Sequence, residues 1–102
     1  MIQLINDPIK EMLCVCQERY PKKEATLVFV VDLYEQEGVW SKMVWPESAI
    51  PKISIDIDIP YVEVITLIAH EFAHIVAGNK SEHNVVWEEI FSDLIHNFNV
   101  RS

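Results

Sequence analysis

Between Pro60 and Gly78 the chain is suited to one long, mostly buried helix, and the rest of the fold has to cover it. Pro60 stands at a helix-starting position, where a missing N–H costs nothing, and Gly78 at the C′ position, where a left-handed backbone ends a helix. The spacing predicts a helix from Tyr61 to Ala77. Val64, Ile65, Leu67, Ile68, Phe72, Ile75 and Val76 form its wide apolar face. Glu63, Thr66, His70 and His74 make a narrow polar stripe on another side.

The covering layers can be read from the remaining periodicities. Asp7 and Pro8 signal a helix start, and Ile9, Met12, Leu13 and Cys16 recur at helical spacing to about Tyr20, before Pro21. Thr26 to Leu33 is nearly all apolar and β-branched, as in a strand buried on both faces. Glu35 to Gly38 reads as a polar turn, Val39 to Trp45 as the returning strand of a hairpin, and Pro46 to Pro51 as a loop. Lys52 to Ile59 alternates strictly, with Ile53, Ile55, Ile57 and Ile59 on one face and Ser54, Asp56 and Asp58 on the other. Asn84 can cap a last helix reaching about Phe98, with Val86, Trp87, Ile90, Phe91, Leu94 and Ile95 on its apolar face. Helix, three strands, helix, helix is an α+β order, expected as a single domain over residues 1–102 with a mainly antiparallel sheet.

A formal net charge of −8 argues against a nucleic-acid partner, since following a phosphate backbone needs clustered Lys and Arg. The basic residues are scattered, with Lys22 and Lys23 the one adjacent pair. No apolar run approaches the roughly 18 residues of a membrane span, and the first residues carry no secretory pattern. Cys14 and Cys16 read as small apolar residues in a reducing compartment, so a cytoplasmic protein is expected. Its partner would be a polypeptide, as substrate or bound protein; no oligomeric state follows from the sequence.

The polar stripe carries the chemistry. His70-Glu71-Phe72-Ala73-His74 puts two imidazoles four residues apart on one helix face, within reach of a single cation. Glu71 lies about 100° further round, beside the ion and not on the ligand face, where it can take a proton from water. This is the H-E-x-x-H arrangement of zinc peptidases. Catalytic zinc takes three protein ligands, so a third is needed beyond His70 and His74. His83 leads: a chain that leaves one helix at Gly78 and starts another near Asn84 must double back. Glu89 is the rival, since Glu89-x-x-x-Asp93 imitates the E-x-x-x-D element of glutamate-ligated zinc peptidases.

The run His70-Glu71-Phe72-Ala73-His74, a short insert, then His83-Asn84-Val85-Val86-Trp87 resembles the core of the SprT-like (Spartan-type) metallopeptidases. The resemblance covers roughly Lys52 to Phe91. It implies a minimal zincin-like domain, with zinc on His70, His74 and His83, Glu71 as catalytic base and Trp87 as the family's aromatic. Asn84 replaces the glycine usual after the third histidine. The family's four-cysteine zinc ribbon and DNA-binding tails are absent, so its DNA-linked roles are not implied. In zincins generally the strand before the active-site helix lies at a sheet edge and accepts substrate as an added strand. Here that strand would be Lys52 to Ile59, with Asp56 and Asp58 either solvated or touching substrate.

Two functions follow as expectations. One is a small zinc-dependent endopeptidase in which zinc activates water and polarises the scissile carbonyl while Glu71 acts as general base. The other is a non-catalytic, zinc-stabilised protein-binding module. Glu71 favours the enzyme, because a structural zinc closes its fourth position and needs no base. Tyr34 and Tyr61 qualify as oxyanion helpers by residue type alone, and His96 reads as a surface residue.

Overall fold

The computed structural model describes residues 8–45, 50–78 and 84–101. Four helices and three strands follow in the order α1 (Pro8–Arg19), β1 (Thr26–Val30), α2 (Leu33–Glu37), β2 (Ser41–Val44), β3 (Lys52–Asp56), α3 (Tyr61–Ala77) and α4 (Val85–Arg101). The α+β reading holds.

The sheet is mixed and not mainly antiparallel. Its order is β1-β3-β2, with β3 parallel to β1 and antiparallel to β2. The expected β1–β2 hairpin does not form, for a local reason. Asp32 adopts a left-handed backbone (φ 59°), Leu33 turns inward and is buried, and the supposed turn coils into α2, closed by Gly38 at φ 73°. That detour leaves room between β1 and β2, and β3 fills it. Pairing on both sides then satisfies the backbone of the strand whose Ile53 and Ile55 are most deeply buried.

β3 ends at Asp56 instead of Ile59, so Ile57 turns outward at 55% exposure while Ile59 folds back into the core. Its polar face is covered as well: Ser54 and Asp56 are both buried. Asp56 ties the surrounding loops together. One carboxylate oxygen accepts the Tyr34 N–H in the first turn of α2 and the other accepts the Asp58 N–H, each at 2.8 Å. Its own N–H donates to the Trp40 carbonyl at 2.8 Å, extending the β2–β3 ladder by one pair. Meanwhile β1, expected to be buried on both faces, is a half-covered edge strand, with Phe29 exposed.

α1, α3 and α4 lie on the face of the sheet that carries Ile53 and Ile55, and α2 lies by Asp56 on the other. α3 packs against α1, α4, β3 and β2, and one core joins Met12, Val15 and Cys16 to Ile68, Phe72 and Leu94. Each large side chain fully buried there contributes about 1.5–3 kcal/mol from removal of apolar surface from water. Both expected caps are present. Gly78 sits at φ 74° and donates its N–H to the carbonyls of His74 and Ile75. The Asn84 Oδ1 accepts the Trp87 N–H at 2.9 Å. α4 runs on past Phe98 to Arg101, and Val86, expected on the apolar face, is exposed instead. Asp7, the expected cap of α1, lies outside the described residues.

Candidate metal centre

The first histidine stands midway along α3, half-buried, and the second one turn later, buried. Their ring centroids lie 5.1 Å apart at an interplanar angle of 71°. Glu71, with only 6% of its surface exposed, brings Oε1 to 3.8 Å from the His70 Nε2. One nitrogen from each histidine and one Glu71 oxygen all lie within 4.8 Å of one another. Zinc–nitrogen bonds are about 2.0–2.1 Å long, which places donors around a shared tetrahedral ion some ~3.4 Å apart. Small side-chain rotations would close the remaining gap. Two imidazole nitrogens beside a carboxylate are also donors of the type zinc prefers.

The N-terminus of α4 builds one wall. The Asn84 cap fixes the first turn, and three residues in, Trp87 lays its indole against both histidines at centroid distances of 5.1 Å and 5.5 Å. The indole N–H donates to the His70 carbonyl at 3.2 Å, tying α4 to α3 at this level. Phe91 stacks on Trp87 at 5.0 Å and meets His70 edge-on at 6.5 Å. Aromatic packing of this kind limits the imidazole rotamers and shields one side of the group from water.

The opposite wall comes from the sheet. Ser41 opens β2 opposite Ile55, so it shares the helix-facing side, and its side chain hydrogen-bonds Glu71. Burial pushes the Glu71 pKa above the ordinary carboxylate value, and the Ser41 bond pulls it partly back. A carboxyl group raised in this way moves toward the working range of a general base at neutral pH.

Of the predicted site residues, His70, Glu71 and His74 are brought together, while His83 lies outside the described residues. The rival ligand Glu89 is exposed and is not part of the group that could hold an ion. Asp93 is committed elsewhere: it accepts two hydrogen bonds from the Arg19 guanidinium and one from the Tyr20 hydroxyl, each at 3.0 Å. Tyr34 stacks on Trp40 at 4.3 Å, at the α2 end of the molecule, Tyr61 opens α3, and His96 is an exposed residue of α4.

β3 is the central strand, so it cannot accept an added strand, and Asp56 on its far face holds loops in place instead of meeting substrate. The site-proximal edge is β2. Ser41 and Phe91 escaped the sequence reading as members of the site. The signal for Ser41 would have been a lone hydroxyl on the face that Met43 and Trp45 otherwise make apolar.

Among the described residues no helix is long and apolar enough to cross a membrane. Comparison with models of known families, with characterised proteins and with solved structures finds no match to this chain.

Proposed function

We propose that the chain is a small zinc-dependent metallopeptidase of SprT-like, zincin type, cleaving peptide bonds with Glu71 as general base. The observation that carries this reading is the convergence of one nitrogen from each of His70 and His74 and one Glu71 oxygen within 4.8 Å, on one face of a buried helix. His70 and His74 would hold the ion, and His83 is the proposed third ligand. Bound zinc lowers the pKa of water from 15.7 to about 7 and polarises a carbonyl oxygen.

The rest of the work falls to the chain itself. Glu71 takes the proton of the attacking water and returns it to the departing amine, and its burial raises that proton affinity above the ordinary carboxylate level. Ser41 hydrogen-bonds the carboxyl group and favours its charged form. Trp87 and Phe91 fix the imidazole planes and keep bulk water from one side. The open edge of β2 begins at Ser41, so a peptide added there as a fourth strand would pass beside Glu71.

Glu71→Gln tests the reading. The variant should bind as much zinc as the wild type and lose about 10²–10⁴-fold in cleavage of an unstructured protein substrate, the usual contribution of a general base. Equal cleavage by both proteins would exclude Glu71 as the base. Zinc bound by both with cleavage by neither would leave the zinc-stabilised binding module.

A further inference from the structure

On the face of the sheet opposite α1, α3 and α4, beside the end of β2 that carries Ser41, α2 and the residue before β2 form an exposed aromatic stack. Tyr34 and Trp40 pack face to face, 4.3 Å between centroids and 12° between planes, yet remain 46% and 41% exposed. Val31, Val39 and Ile57, neighbours in the chain of these residues and of Asp56, are exposed as well. Asp56 explains why these residues meet: it holds the backbones of Tyr34, Asp58 and Trp40 in one knot. The position is structurally fixed while its apolar surface faces solvent, and an exposed patch of that kind marks an interaction site.

Charge narrows the occupant. Asp32 and Glu35 stand beside Tyr34 in the chain, Asp58 donates its N–H to the Asp56 carboxylate that also holds Tyr34, and among the described residues no Lys or Arg forms a salt bridge with any of the three. Lys42, two residues after Trp40 and so on the same face of β2, is held by both carboxylate oxygens of Glu37 at 2.6 and 2.8 Å. An apolar partner would leave three carboxylates beside a desolvated surface. A cationic one would neutralise them and gain the electrostatic attraction of the ring faces, for which Trp is the strongest side chain. A guanidinium fits better than an ammonium, because its plane stacks on an aromatic ring and sheds its hydration more readily.

We propose that the Tyr34–Trp40 stack with Asp32, Glu35 and Asp58 is a specificity site for an arginine side chain of a polypeptide substrate. The inference rests on the peptidase reading for the word substrate. It also supplies geometry. By register Trp40 pairs with Asp56, on the face away from α3, whereas the next residue, Ser41, faces Glu71. Side chains of a peptide added along β2 alternate between the same two faces. A residue directed at the stack is therefore a sequence neighbour of one directed at the metal centre.

Binding can be measured without turnover, using zinc-loaded Glu71→Gln protein and fluorescein-labelled degenerate decapeptide pools whose central residue is Arg, Lys, Leu or Glu. The arginine pool should bind about tenfold more tightly than the leucine pool, an effect of the size expected for a partly desolvated cation–π contact, and the glutamate pool most weakly. Trp40→Ala should abolish the preference and Trp40→Phe should keep most of it. Should Trp40→Ala fail to fold by circular dichroism, Glu35→Lys with Asp58→Lys serves instead and should invert the order of the arginine and glutamate pools. Leucine binding as tight as arginine binding, or an arginine preference that survives Trp40→Ala, would overturn the proposal, as would concentration-dependent self-association that buries Trp40. Failure of the wild type to cleave any peptide would sink the peptidase reading and leave the arginine preference measurable.

Discussion

Burial makes Glu71 hold its proton more tightly, and a hydroxyl from the second strand works against it. Burial alone would raise the carboxyl pKa, and the Ser41 hydrogen bond lowers it by stabilising the charged form. If the chain is the proposed zinc peptidase, Ser41→Ala should therefore raise the Glu71 pKa further and move the acid limb of the kcat/KM profile to higher pH, with zinc content unchanged. An unshifted acid limb would separate Ser41 from the base. At this scale the sequence was informative where the relation is local. His70, Glu71 and His74 are legible because helical geometry alone sets them side by side. Ser41 was not, because it arrives through the β2–β3 register, and no spacing rule connects it to α3.

Among the elements, β3 departs furthest from its sequence reading. Its alternation correctly assigned Ile53 and Ile55 to the core, but the far face was expected to be solvated or to touch substrate, and Ser54 and Asp56 are buried there beside α2 instead. The pattern of a strand reports which side is apolar; which strands lie beside it depends on the path of the connections, and here on Asp32 and Leu33. Asp56 bears the consequence. Its two carboxylate oxygens satisfy N–H groups of α2 and of the turn into α3. Asp56→Ala should cost about 1–3 kcal/mol in denaturant unfolding, the cost of leaving partly buried donors unsatisfied, and should loosen the Tyr34–Trp40 stack. A neutral substitution would show that the two N–H groups find other partners. The caps at Gly78 and Asn84 were legible because each satisfies backbone groups of its own helix end, a requirement independent of the rest of the fold.

Over the whole molecule, the first helix is joined to the last through Arg19, Tyr20 and Asp93, and Cys16 is sealed in the core between them and the sheet. Burial, with the bond to Asp93, pushes the Tyr20 pKa up to about 12, and burial takes the Cys16 thiol to about 12 as well. Both are neutral in the fold and ionise more easily when unfolded, at about 10 and about 9 respectively. Their contribution is complete below those values and is lost as pH rises toward 12. Unfolding free energy should fall steadily above about pH 9, and Tyr20→Phe with Cys16→Ala should flatten that fall. An unchanged alkaline slope in the double variant would assign the loss to other groups. At the acid end the sign reverses: the Arg19 bond holds the Asp93 pKa below the ordinary carboxylate value, so its contribution disappears as pH drops through that lowered value.

The central claim is that one helix face of this molecule binds a metal ion through His70 and His74. Its most direct test is the zinc-to-protein ratio, by elemental analysis, of chain purified without chelator, beside His70→Ala/His74→Ala. About one zinc per wild-type chain is expected, and almost none in the double variant. A wild-type ratio near zero, or a ratio unchanged by loss of both histidines, would contradict it.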